Sequence, residues 1–333
     1  MAQPVISYPG AKWRFYEYIK PYIPTDMETW IEPFFGGGSM SLSVADDPTF
    51  HNVKRMIGGD LAPEIWAMWN GIRDNPQEVV AIVEEWWNTS CKLQQQMSTI
   101  GTECVQYARN KELLDQLDEN KRNEMQELVI FFEQVSAEGK AFWNWLQTVD
   151  CSQLTLSQRA ARTFLANKIS FSGMGDSGSI SVDQYIDFRL NKTDRILAAS
   201  PLLNKMEIMN VSFEETMKYG NEKPETSFIF LDPPYYQQEK SGLYGRNGDT
   251  HKGFPHEHFA EFTQSMKCKW FVTYDDSIKV RRMFANSFIT PFTIKGGYTM
   301  AGKTAEDALA GEELFITNYD ISNNNAEDLM SML

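Results

Sequence analysis

Residues 30–44 read WIEPFFGGGSMSLSV. Trp30-Ile31-Glu32 suits a short buried strand, Gly36-Gly37-Gly38 makes a turn, and Met40-Ser41-Leu42-Ser43-Val44 reads as the start of a helix. Strand, glycine turn and helix in that order form the βα unit of a doubly wound sheet, where glycines at the carboxyl end of a strand let the backbone approach a ligand closely. The pattern is F-x-G-x-G. It is neither the G-x-G-x-x-G dinucleotide fingerprint nor a phosphate loop, since no G-K-[ST] follows. Taken alone, such a turn serves packing as readily as binding.

A second βα unit follows. Arg55-Met56-Ile57-Gly58-Gly59-Asp60 is a short strand ending in an acid, and Pro63 to Asn70 is a helix with proline near its first turn. Asp60 can hold ribose hydroxyls or cap the helix, and both roles can hold at once. From about 72 to 165 glycine becomes scarce and apolar residues recur at helical spacing, as in Val79-Val80, Ile82-Val83 and Trp86-Trp87. Trp86-Trp87 and Phe142-Trp143-Asn144-Trp145 are read as core of this helical layer, with base stacking as the alternative. The α/β rhythm then returns. Strands are expected at 205–209, 228–231 and 269–274, and a late one at 313–319 at a sheet edge; the residues from 323 read as a loose tail. The fold expected is α/β with a doubly wound, mostly parallel sheet. Its units are 1–71 with 160–322, a helical insertion at 72–159, and the tail 323–333.

One of those strands ends unusually. Phe228-Ile229-Phe230-Leu231 is followed by Asp232-Pro233-Pro234-Tyr235. Proline has no N–H and a fixed φ, so two in a row aim a backbone carbonyl rigidly. Asp232 and that carbonyl make two acceptors, which suits an NH₂ group with two donors. Tyr235 adds a flat face for a ring. The bland alternative is a strand-to-turn break in which Asp232 caps a turn.

The chain has 333 residues, 42% of them apolar, which is enough for one large domain or two modest ones. Its formal net charge of −14 argues against a polyanionic partner when taken alone, because binding DNA rests on Lys and Arg. The charge is uneven, however. Glu112, Asp115, Asp118, Glu119, Glu124, Glu127, Glu133 and Glu138 crowd one segment, while Lys240, Arg246 and Lys252 follow the Asp-Pro-Pro-Tyr motif. Cys91, Cys104, Cys151 and Cys268 show no C-x-x-C pairing, and no signal peptide or membrane span is apparent. A cytoplasmic protein with reduced thiols is expected. His251, His256 and His258 lack the spacing of a helical H-E-x-x-H site, so no metal is expected.

The sum of these motifs resembles the Dam-like DNA adenine-N6 methyltransferases. Asp232-Pro233-Pro234-Tyr235 matches the family's catalytic tetrad, and Glu32-Pro33-Phe34-Phe35-Gly36-Gly37-Gly38-Ser39 matches its cofactor turn. Tyr8-Pro9-Gly10-Ala11-Lys12 looks like the N-terminal aromatic-x-G-G-K element, with Ala11 replacing a glycine. Ala166-Asn167-Lys168-Ile169-Ser170-Phe171-Ser172-Gly173-Met174 is similar to the family's N-R-x-G-x-N-G-L stretch, with Lys168 for the arginine and Ser172 for the asparagine. Glu312 to Tyr319 resembles its closing strand. The order of motifs is that of the alpha group. The resemblance implies a Rossmann-like methyltransferase fold and S-adenosylmethionine as cofactor. Tyr8, Lys12, Glu32, Phe34, Phe35, Gly36, Gly38, Ser39, Asp60 and Asp232 would contact that cofactor.

It also implies double-stranded DNA with a target adenine flipped out onto Tyr235. Lys168, Ser172, Arg246 and Lys252 would lie on the DNA side, with residues 237–253 closing over phosphates. The helical insertion is longer than the family's usual helical part, and 173–195 is shorter than its usual recognition element. The insertion is read as a DNA-recognition or protein-partner unit. A cytosine-N4 enzyme, an RNA adenine enzyme and a cofactor-binding subunit of a modification complex are the competing readings. A cytosine-C5 enzyme is disfavoured, because none of the four cysteines follows a proline.

Overall fold

The computed structural model describes residues 3–8, 10–100, 102–236, 253–294 and 311–321. Seven strands form one sheet: β1 (Thr29–Glu32), β2 (Arg55–Gly59), β3 (Met206–Met209), β4 (Ser227–Leu231), β5 (Lys269–Asp275), β6 (Phe288–Ile294) and β7 (Gly311–Thr317). Their order is β3-β2-β1-β4-β5-β7-β6. The first five in that row are parallel, and β7 runs antiparallel to β5 and β6. The winding direction reverses between β1 and β4, and doubly wound sheets bind ligands outside the carboxyl ends of their strands at such a point.

Why these residues make this sheet is clearest at β4. Ser-Phe-Ile-Phe-Leu shows no polar alternation and is buried at every position, as a parallel strand covered on both faces must be. Phe228 and Phe230 join Trp30, Met56 and Phe271 on one face, while Ile229 and Leu231 join Ile31, Ile57 and Val272 on the other. The first face is covered by the helices Ser39–Asp46, Pro63–Asp74 and Asp194–Leu203, the second by Phe213–Met217, His256–Gln264 and Ile278–Met283.

Between Pro63–Asp74 and β3 the chain is helical, with Pro76–Ser90, Lys92–Ile100, Cys104–Arg109, Glu119–Thr148 and Leu156–Ile169. Leu156–Ile169 starts from a capping box made by Thr155 and Gln158. It packs closely on Pro63–Asp74 because Gly71 has no side chain: a Cβ there would lie 2.6 Å from that of Ala160. Trp87, Phe142 and Trp143 are buried, with Trp87 edge-on to Phe142 at 5.8 Å, so these aromatics are core. Trp86 and Trp145 pair edge-on at 4.8 Å at the margin of that layer. Among the described residues, no helix is long and apolar enough to cross a membrane.

One expectation is corrected. The late strand is not at the edge, since β7 lies between β5 and β6. The edge is β6, whose sequence FITPFTI carries Pro291. A proline argues against a central strand, but on an edge its missing donor leaves no ladder bond unmade.

Candidate active site

A cavity of about 1200 Å³ runs along the carboxyl ends of β1, β2 and β4, and Lys12, Glu32, Gly36, Asp60, Asp232 and Tyr235 are among the residues that line it. The end of β1 is built from backbone. Gly36 and Gly38 have φ of 44° and 61°, the left-handed region that favours glycine. Gly38 N donates to Phe35 O at 2.7 Å, Phe35 N to Gly59 O at 2.9 Å, and Trp69 Nε1 to Gly36 O at 2.8 Å. The two phenylalanines splay to opposite faces of the sheet. The ring of Phe35 is buried against Gly58, where a Cβ would lie 2.4 Å from it, and meets Trp69 edge-on at 5.6 Å. Phe34 stacks on Phe213 at 5.7 Å and meets Phe259 edge-on at the same distance. Both rings therefore brace the turn.

Tyr8 lies directly over the turn, since a Cβ on Gly36 would be 2.6 Å from its Cε1. The segment that carries it is clamped by Asn167, which accepts from Ser7 N at 3.1 Å and donates to Ser7 O and Gly173 O, each at 2.6 Å. Ser39 accepts from Lys12 N at 3.2 Å, which ties the same segment to the start of the Ser39–Asp46 helix.

The two acids on this side both hold backbone. Glu32 accepts from Ser41 N at 2.9 Å and from the Ser41 hydroxyl, which in turn accepts from Trp30 Nε1 at 2.9 Å. Burial pushes the Glu32 carboxyl up to about 8, the nearby Asp232 adds to this, and the Ser41 hydrogen bonds oppose it. Asp60 accepts from Gly36 N and from Ala62 N, each at 2.8 Å, so it joins the turn to the approach of the next helix. Burial raises its pKa against those two bonds. Asp60 does not cap that helix, whose N-cap is Ala62, and a carboxylate with two such bonds keeps lone pairs for a further donor.

At the end of β4 the site is built from side chains. Asp232 Oδ1 accepts from Thr273 Oγ1 at 2.7 Å and pairs with Lys12 Nζ at 2.8 Å. Lys12 is 2% exposed, and its Nζ also donates to Gly10 O at 3.0 Å and lies 4.0 Å from Glu313 Oε1. A buried ammonium needs such partners, because leaving water is otherwise costly. The Tyr235 hydroxyl donates to Glu313 Oε1 at 2.8 Å, its ring stacks on Tyr274 at 6.0 Å, and Lys12 Nζ stands 4.9 Å from its centroid. Burial, then the Glu313 and Asp232 charges, raise the Tyr235 pKa well above its ordinary value. Burial also raises that of Glu313, against the pull of Lys12. Next along the chain, Tyr236 N donates to Asp275 Oδ1 at 2.7 Å.

Thr273, Asp275 and Glu313 were not expected as site residues. Each is a polar residue within a strand, and only the register of β5 and β7 brings it to the site: Thr273 opposes Phe315, and Asp275 opposes Glu313. Leu61, Ser212 and Phe213 also line the cavity without having been singled out.

The residues expected on the DNA side are placed less uniformly. Lys168 is buried, with its ammonium 5.2 Å from the Phe164 ring centroid. Burial, with Arg195 and Lys192 nearby, lowers its pKa to about 7. Ser172 lies in the turn after the Leu156–Ile169 helix, with φ of 52°, and the adjacent Phe171 is exposed. Arg246, His251 and Lys252 lie outside the described residues. His256 bonds the Tyr274 hydroxyl, and His258 lies 3.2 Å from Glu214.

The strand order, the glycine turn at β1 and the acid-proline-proline-tyrosine end of β4 together define a Rossmann-like methyltransferase. The family model of the D12 class N6 adenine-specific DNA methyltransferases matches residues 8–300, and the chain belongs to that family. It is 20% identical over 262 residues to the Type II methyltransferase M1.LlaDCHI of Lactococcus lactis subsp. cremoris, a match covering 77% of this chain and 72% of that protein. The reaction is transfer of a methyl group to N6 of adenine in DNA.

Proposed function

We propose that the chain methylates one adenine within a specific DNA site, using S-adenosylmethionine, and that Asp232, Pro233, Pro234 and Tyr235 receive the base after it leaves the helix. The observation that carries this reading is the fixing of Asp232. Thr273 and Lys12 both engage Oδ1, and Oδ2 takes no hydrogen bond among the described residues, so the carboxylate is oriented with one oxygen left for an amine.

The cavity suits the cofactor. Left-handed Gly36 and Gly38 bring backbone close, Asp60 keeps acceptor capacity for ribose hydroxyls, and Leu61 and Phe213 offer apolar sides for a purine. Tyr8 and Lys12 stand beside the turn, within reach of the remainder. Bound there, S-adenosylmethionine supplies a methyl group on a positively charged sulfur.

The amine of adenine is a poor nucleophile because its lone pair is delocalised into the ring. Hydrogen bonds from N6 to Asp232 Oδ2 and the Pro233 carbonyl pull the nitrogen toward a pyramidal shape and direct its lone pair at the methyl group. Holding both partners in line contributes much of the acceleration. Once alkylated, the nitrogen readily loses a proton, and Asp232 takes it up. Tyr235 provides the flat face, and extruding the base requires unstacking that such enzymes offset with contacts in the pocket. Ser172 and the exposed Phe171 face the DNA, and the 72–159 segment reads the site or binds a protein partner. The four free cysteines agree with a cytoplasmic setting.

The test is to incubate the chain with unmethylated duplex DNA and methyl-labelled S-adenosylmethionine, then digest to nucleosides. Label is expected in N6-methyl-2′-deoxyadenosine. Label in N4-methylcytosine, label in RNA but not DNA, or cofactor binding with no transfer would each replace this reading with one of its competitors.

A further inference from the structure

Glu313 lies on β7, a strand hydrogen-bonded on both sides, to β5 and to β6. It is 3% exposed. Its Oε1 accepts the Tyr235 hydroxyl at 2.8 Å and lies 4.0 Å from Lys12 Nζ, which itself sits 2.8 Å from Asp232 Oδ1. One buried carboxylate therefore reaches both halves of the base-receiving tetrad, the tyrosine directly and the aspartate through a lysine.

We propose that Glu313 is a positioning residue for methyl transfer: from a strand paired on both sides it fixes the Tyr235 ring by its hydroxyl and holds Lys12 against Asp232. The inference rests on the reading that Asp232 and Tyr235 receive the adenine. The physical case begins with the tyrosine, which follows two prolines and lies beyond the last residue of β4. Backbone hydrogen bonding within the sheet does not reach it; the prolines before it and the Tyr236 N–H bond to Asp275 hold its backbone, and its ring is set by side-chain contacts. Stacking on Tyr274 fixes its plane but not its tip. A hydroxyl bonded to a carboxylate is stronger than a neutral bond and supplies that second point. Lys12 needs the same residue for a different reason. Shared between Asp232 and Glu313, the ammonium is drawn to a fixed place, and Asp232 Oδ1 is held with it.

The test uses the full chain and a duplex carrying the site that the wild-type enzyme methylates, mapped by sequencing modified DNA. Single-turnover methyl transfer, S-adenosylmethionine affinity and the fluorescence of 2-aminopurine at the target position are measured for Glu313→Leu, Glu313→Gln, Tyr235→Phe and the Glu313→Leu/Tyr235→Phe double variant. Glu313→Leu and Tyr235→Phe should each slow transfer about tenfold and alter the 2-aminopurine signal, with cofactor affinity kept. The double variant should be no slower than the slower single one, because both cut the same bond. Glu313→Gln keeps an acceptor oxygen for the Tyr235 hydroxyl but not the charge that draws Lys12, and should restore only part of the rate.

A wild-type rate in Tyr235→Phe or Glu313→Leu, a double variant slowed by the product of the single effects, or a Gln variant as slow as the Leu variant would overturn the proposal. If Glu313→Leu does not fold, Tyr235→Phe and Glu313→Gln still decide it. A wild-type enzyme that labels no adenine contradicts the reading underneath, whereas a labelled adenine with indifferent variants contradicts only the role of Glu313.

Discussion

At the end of β1 the cavity wall is backbone: left-handed glycines, an aromatic ring pressed into the gap left by Gly58, and two acids, Glu32 and Asp60, that accept from main-chain N–H groups. At the end of β4, one strand away, the wall is side chains in a charge network, with Asp232, Lys12, Thr273, Glu313 and Tyr235 joined by contacts of 2.7 to 4.0 Å. Backbone and glycine give close approach to a ligand of fixed shape, which is what a cofactor requires. Oriented charges give discrimination between ground and transition states, which is what a reacting amine requires. Damage to the first end should therefore appear in cofactor affinity, and damage to the second in turnover.

The largest expected effect is at Asp232. Asp232→Asn keeps the shape but loses the charge, and should lower the methyl-transfer rate by roughly 10³-fold, measured in single turnover. A loss of cofactor binding of the same size would erase the distinction between the two ends. Next is Gly36→Ala. The left-handed φ of 44° disfavours a side chain, and the added Cβ would meet Tyr8 Cε1 at 2.6 Å. Cofactor affinity should fall by about tenfold or more, read by calorimetry, with the rate at saturating cofactor much less affected.

Thr273→Val should have a smaller effect. It is nearly isosteric and removes one donor to Asp232 Oδ1, so turnover should drop by about tenfold while the melting temperature changes little. An unchanged rate would mean that Lys12 alone orients the aspartate. The smallest effect is on stability at the β1 end. Burial pushes the Glu32 carboxyl from its ordinary 4.5 up to about 8. Between those values the folded chain holds a proton that the unfolded chain has released, so this group's contribution makes stability fall as pH rises through that window. Glu32→Gln removes the contribution. The loss of urea midpoint between pH 5 and pH 8.5 should be smaller in the variant than in the wild type, and equal losses would place the titration elsewhere.

Much of this is legible in the sequence alone. The run Trp30 to Val44 carries its own strand, turn and helix, and Phe228 to Tyr235 carries a strand with an abrupt polar end; both are local patterns. The less legible parts depend on contacts distant in sequence. β6 was missed because Pro291 interrupts it, and only its place at the edge makes that proline acceptable. Thr273 and Glu313 are polar residues beside other polar residues of their strands, with nothing in the sequence to mark them until β5 and β7 pair. Lys168 reads as a surface cation near a motif, yet the Leu156–Ile169 helix is covered on nearly every side, and the lysine is buried with it. Phe34 and Phe35 are adjacent and both line the cavity, but adjacent residues leaving a strand point to opposite faces, and their rings brace different ones.

The division between the two ends is tested most directly by titrating S-adenosylmethionine calorimetrically into Asp232→Ala and Gly36→Ala, with labelled transfer to adenine measured on the same preparations. Asp232→Ala should bind the cofactor within about threefold of the wild type and transfer no measurable label, while Gly36→Ala should bind about tenfold more weakly and still transfer at saturation. Loss of cofactor binding in Asp232→Ala, or transfer that persists in it, would contradict the account.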